Sequence, residues 1–123
     1  VNHTRPKNLN LFTIKFPIPA IVSILHRASG AFLFLLIPFL LWGLNASLTP
    51  EGFGQFQMWF DATCGKLLLL ALLTPFCYHF IAGIRHLLMD IHIGSKLNTS
   101  RCLAWLTFVF TILLLVIIGI WIW

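Results

Sequence analysis

Three long apolar runs limit what this chain can fold into more than any other feature. They are Ala28 to Ala46, Leu67 to Ile84, and Cys102 to Trp123. Asn45 is the strongly polar residue of the first run, one His lies inside the second, and the third carries no charge. Each reaches the ~18–20 residues needed to cross the hydrocarbon core of a bilayer. In lipid every backbone N–H and C=O must be bonded within the protein, which leaves helices and closed barrels. Barrel strands alternate in polarity, and these runs do not. The expected fold is an all-α membrane protein with three transmembrane helices.

Composition agrees with lipid as the solvent. The 123 residues are 59% hydrophobic and 9% charged, against about 25% charged in a typical soluble domain. So few charges cannot cover a water-soluble globule. The net charge is +5. Nucleic-acid binding would need a clustered basic face, whereas here the basic residues flank apolar runs, so no nucleic-acid partner is expected. Cys64, Cys77 and Cys102 are widely spaced and form no CxxC pattern, which gives zinc, thioredoxin-type and c-type haem chemistry no support. The first nineteen residues lack the apolar core of a secretory signal and the Arg/Ser-rich character of a transit peptide. A bacterial inner membrane is therefore expected over the mitochondrial one.

The basic residues also set an expected orientation. Arg5, Lys7, Lys15 and Arg27 precede or begin the first span, and Arg85, Lys96 and Arg101 fall between the second and third runs. The intervening loop holds Glu51 and Asp61 with Lys66 alone. The positive-inside rule puts the N-terminus in the cytoplasm and the C-terminus on the opposite side. Residues 1–19, with Pro6, Pro17 and Pro19, read as an extended cytoplasmic arm. Residues 20–123 read as the membrane domain, with helices at about 21–48, 65–90 and 101–123 and an amphipathic interfacial segment at about 51–60. The first helix should start just after Pro19. From Ile21 to Leu48 it would run about 42 Å, longer than the ~30 Å hydrocarbon core, so its first turns belong at the cytoplasmic headgroups.

Ionisable groups in or beside membrane spans mark functional candidates, and they fall in two clusters toward the cytoplasmic side. In the first, Ser23 and Arg27 share a helix face, with His26 beside them and Gly30 removing bulk. A hydroxyl and a guanidinium on one face can donate to a carbonyl or an anionic oxygen. The plainer reading is an interfacial Arg that snorkels to headgroups. In the second, His79 lies about 9 Å deeper than Arg85, with Ala82 and Gly83 one turn on; small residues there leave a flat shelf such as a porphyrin edge requires, and equally serve plain helix packing. His86 is about 10.5 Å further along nearly the same face, too far to ligate the same iron. One division of labour gives His79 to iron and His86, with Arg27 or His26, to the propionates. Against it stands an imidazole that only bonds a neighbouring helix, with His86 snorkelling and Asp90 one turn on as its pairing partner. Haem b needs an axial ligand, usually His. The chain offers a single deep His, so a bis-His haem would take its second ligand from another chain.

Arg5-Pro6-Lys7-Asn8-Leu9, Phe16-Pro17-Ile18 and Ser23-Ile24-Leu25-His26-Arg27-Ala28-Ser29-Gly30 resemble the N-terminal signature of the succinate dehydrogenase cytochrome b556 subunit family. His79-x3-Gly83-x-Arg85-His86-x3-Asp90 resembles its second signature, and Pro50-Glu51-Gly52-Phe53 the first loop of its bacterial members. The similarity covers about residues 5–90; the third span matches only in apolar character. The resemblance implies that His79 is this subunit's axial haem iron ligand. The other axial His would come from a second small membrane anchor subunit that completes a haem-binding bundle. It further implies that Ser23 and Arg27 contribute to a ubiquinone site near the iron–sulfur subunit. His26, Arg27 and His86 would lie around the propionates, with Gly30, Ala82 and Gly83 lining the pocket. A flavoprotein subunit would complete the complex and carry the dicarboxylate chemistry, for which this chain has no dinucleotide motif. The nearest alternatives are the anchor of a quinol:fumarate reductase and a haem-free structural tether. A transporter is disfavoured, because the outer halves of the spans are almost wholly apolar.

Overall fold

The computed structural model describes residue 10 and residues 13–123. Most of the expected N-terminal arm, with Arg5, Lys7 and the first signature run, lies outside the described residues. Four helices follow one another: α1 (Ile18–Ala46), α2 (Pro50–Asp61), α3 (Thr63–Asp90) and α4 (Leu97–Ile122). Among the described residues α1, α3 and α4 are long and apolar enough to cross a membrane.

The helix starts follow backbone rules that a hydropathy run does not register. Extended Pro17 precedes α1 and Pro19 sits inside its first turn. A missing N–H there loses no helical hydrogen bond, so the helix begins ahead of Pro19 rather than after it. Thr49 caps α2, its hydroxyl accepting from the Gly52 amide at 3.1 Å, and Pro50 opens the helix. α4 begins at Leu97, five residues before the apolar run, because Lys96 at its N-cap and Arg101 near its start are tolerated where the first turns lie at the interface. Pro38 and Pro75 lie within α1 and α3.

α3 is the central strut, packed against α1, α2 and α4. The short link from α2 to α3 brings Gly65 against the Trp59 carbonyl, where no Cβ would fit. The turn from α3 to α4 uses positive φ at His92 (64°) and Gly94 (83°). The buried apolar centre is small: Val22, Tyr78, Ala82 and Ala104, with Ile18 and Phe108 against it. A stripe of Ser100, Ala104, Thr107 and Thr111 forms the buried face of α4. Thr107 and Thr111 return their hydroxyls to carbonyls one turn back, at 2.9 and 2.7 Å. Small side chains let helices approach closely in lipid, where the hydrophobic effect supplies no drive between them. Large apolar side chains line the outside, with Trp42, Trp105, Trp121 and Trp123 all exposed. At the far end of the bundle Lys66 lies over the Trp123 ring, 5.5 Å from its centroid.

Candidate functional site

The first turns of α1 and the last turns of α3 run side by side at one end of the bundle. Tyr78 donates its hydroxyl to the Val22 carbonyl at 2.9 Å, a buried bond between the two helices. Ala82 is wholly buried beside them. This close packing brings His26 of α1 onto the two imidazoles of α3. His26 stacks on His79 with ring centroids 4.2 Å apart and planes 11° from parallel. On its other side it meets His86 at 4.7 Å, tilted by 40°. The gap that seven residues of helix leave between His79 and His86 is therefore filled by His26.

The hydrogen bonds fix the protonation pattern of His79. Its Nδ1 lies 3.0 Å from the His26 carbonyl oxygen and 3.1 Å from Ser29 Oγ. The Ser29 hydroxyl donates to the same carbonyl at 2.9 Å. A carbonyl can only accept, and the Ser29 proton is already directed to it. Both neighbours of Nδ1 are acceptors, so Nδ1 carries the proton. In the neutral ring the lone pair then resides on Nε2. A Cβ built on Gly30 would stand 2.8 Å from His79 Cε1, so the ring occupies space that glycine alone leaves open. Gly83 plays a looser part: a Cβ there would meet His26 Nε2 at 3.6 Å, an ordinary contact.

Ser23 is half-buried and Arg27 exposed, and among the described residues neither donates a hydrogen bond to the protein. They share a face of α1 next to the imidazole stack. His86 Nε2 is buried without a partner. Asp90 ends α3, exposed, and makes no ion pair among the described residues. The three imidazoles lie ring on ring instead of converging, and among the described residues no cluster of three His, Cys, Asp or Glu could cage a bare metal ion.

Arg85 is a correction to the sequence reading. Expected within the 65–90 helix but counted with the basic residues of the water side, it is buried in α3 at 4% exposed. Its Nη2 donates to Ser100 Oγ of α4 at 3.2 Å, and its Nε is buried without a partner. Ser29 and Tyr78 were likewise given no role from the sequence. Ser29 sits one turn after His26, and Tyr78 and Arg85 are seven apart on one face of α3. That periodicity was the available signal.

Residues 1–118 match the family described as succinate dehydrogenase/fumarate reductase transmembrane subunit. The succinate dehydrogenase cytochrome b556 subunit of Coxiella burnetii is 37% identical over the full length of both chains. That of Rickettsia prowazekii is 32% identical over 98% of this chain and 94% of its own. The mouse mitochondrial succinate dehydrogenase cytochrome b560 subunit is 36% identical over 73% of this chain and 55% of its own. With three membrane-crossing helices and close bacterial relatives, the chain belongs to the succinate dehydrogenase/fumarate reductase transmembrane subunit family, as a multi-pass anchor subunit of a bacterial inner membrane.

Proposed function

We propose that this anchor co-ligates haem b and helps form the quinone-reduction site of a succinate:ubiquinone oxidoreductase. The observation that carries the reading is the His79 hydrogen-bond pattern. A metal-bound imidazole commonly donates its other N–H to a carbonyl, which fixes the tautomer and raises the basicity of the ligating nitrogen. His79 has that arrangement, with Nδ1 held and the Nε2 lone pair left over. The donor set fits a porphyrin better than a bare ion, since the macrocycle brings its own four nitrogens and needs only axial ligands. His79 would hold the haem iron from this chain, and a second small anchor subunit would supply the other ligand. His26, Arg27 and His86 would hold the acidic edge of the haem; Gly30 makes room for the His79 ring, Gly83 lies against the His26 ring, and Ala82, wholly buried between the helices, packs them together and lines no pocket. The buried, unpartnered Nε2 of His86 suits a group that receives an acid oxygen. Bound haem b supplies a one-electron store beside the quinone.

The quinone itself is substrate. Ser23 and Arg27 donate to one of its carbonyl oxygens and stabilise the negative charge that develops as electrons arrive from the iron–sulfur subunit. Succinate is oxidised on the flavoprotein subunit. The end of the bundle carrying the histidines faces the cytoplasm, where Lys15, Arg27, Lys96 and Arg101 collect. Fumarate reduction by a quinol would use the same groups in reverse, and the potential of the quinone in the membrane sets the direction.

One competing reading also draws on a specific observation. The bond from His79 to the His26 carbonyl is what a plain helix-to-helix tie in a haem-free tether would form. Replacing His79 by Leu in the whole complex separates the two. The b-type absorbance should be lost or shifted; an unchanged reduced-minus-oxidised spectrum would remove His79 as ligand. Alongside it, Arg27→Ala and Ser23→Ala should lower quinone reductase activity. Dye-linked succinate oxidation should persist. A hydrogen bond from a charged donor is worth about 1.5–3 kcal/mol, so the Arg27 effect should be roughly ten- to a hundredfold.

A further inference from the structure

Arg85 is the only charged side chain that is buried among the described residues. One neutral hydroxyl, Ser100 Oγ, meets its Nη2 at 3.2 Å, and its Nε has no partner. No carboxylate neutralises it among the described residues. Glu51 and Asp61 lie at the other end of the bundle, and Asp90 is exposed beyond it on α3. A guanidinium does not shed its proton in a protein, so a full positive charge stands in a poorly screened interior. Unpaired charges in such places are expensive and are retained where they serve a function. Arg27 differs, because it is exposed and the reading above already gives it acid and quinone oxygens as partners.

We propose that Arg85 is a positioning charge that raises the electron affinity of the haem held by His79, which rests on the ligand reading above. It touches neither haem nor quinone. Arg85 and His79 are six residues apart on one rigid helix, about 9 Å along its axis. Arg85 is turned toward α4 and His79 toward α1, and between them a buried charge acts through an effective dielectric of roughly 20, well below that of water. A fixed positive charge favours the electron-accepting form of a neighbouring redox group, so its removal lowers the midpoint potential. Ser100 sets the position of the guanidinium from α4 and contributes no charge.

Potentiometric titration of the b-type absorbance in the intact complex tests this with three variants. Arg85→Gln removes the charge and should shift the midpoint downward. Ser100→Asp keeps Arg85 and gives it an ion-pair partner, and should also shift the midpoint downward. Ser100→Asn supplies a neutral partner and should leave the midpoint at the wild-type value. If Arg85→Gln does not assemble, Ser100→Asp decides, because it adds a partner to Arg85 instead of removing the charge. A haem-loaded Ser100→Asp complex with the wild-type midpoint overturns the proposal, and would mean that the charge is already neutralised in the assembled enzyme. A wild-type complex without a b-type band overturns the ligand reading and this one together, which separates the two failures.

Discussion

At Gly30 two energies oppose each other at a single Cβ. Alanine is the better helix former by about 1 kcal/mol, yet its methyl would stand 2.8 Å from His79 Cε1. The ring cannot swing aside freely, because Nδ1 is held by the His26 carbonyl and Ser29. Overpacking a closed contact costs about 1–3 kcal/mol, so the clash wins. Gly30→Ala should lower the haem-to-flavin ratio of the purified complex, and the bulkier Gly30→Val should lower it further. Full haem content with an unaltered spectrum in Gly30→Val would mean that the imidazole does not sit where iron needs it. His79 stands out in the sequence as a candidate because an ionisable group deep in an apolar run is expensive. Ser29 and Arg85 do not. A pattern of residues gives depth along a helix, but the direction of the nearest acceptor depends on how the helices are rotated against each other. Arg85 in addition borders the apolar run, so hydropathy assigned it to the water side, while Ser100 on α4 gave it a buried partner.

The helices meet through few polar contacts, and each can be weighed. The Tyr78 hydroxyl joins α3 to α1 through the Val22 carbonyl, an oxygen that also belongs to the α1 hydrogen-bond ladder. Tyr78→Phe keeps the ring and leaves that carbonyl with its helical partner. The expected loss is therefore about 1 kcal/mol, read as a small drop in thermal unfolding temperature in detergent with the haem spectrum unchanged. A loss above roughly 3 kcal/mol would assign Tyr78 more than one hydrogen bond's worth of work. The number and order of the spans were readable because lipid demands long apolar helices. Their ends were not, because the interfacial layer accepts helical backbone with charged side chains. That layer accounts for the early starts of α1 and α4. The packing of α4 was also hidden. Its buried stripe of Ser100, Ala104, Thr107 and Thr111 is small and weakly polar in a run of large apolar residues, so it shows as interruptions and carries no motif.

Taken whole, the chain is too open to enclose a prosthetic group. Among the described residues the largest fully buried side chains are only Val22 and Cys77, and most of the large apolar residues of α1 and α4 face outward. Lipid covers such surfaces without difficulty, but it cannot ligate iron. Of the three clustered imidazoles, His79 has its Nδ1 committed and Nε2 left over, while His26 is wedged between the other two rings. On the proposed reading one chain would present one axial nitrogen and one wall of a pocket. A six-coordinate haem needs a second wall with a second His, which the proposed sister anchor provides. Expressed in membranes without its sister subunits, this chain should insert, since insertion depends on the spans alone. It should nevertheless show little or no b-type absorbance per mole of protein. Co-expression with the second small anchor alone, without the flavoprotein and iron–sulfur subunits, should restore the band. A stoichiometric bis-His spectrum from the solitary chain would contradict the shared-ligand arrangement, because the second nitrogen would then have to come from His26 or His86 after the stack had opened.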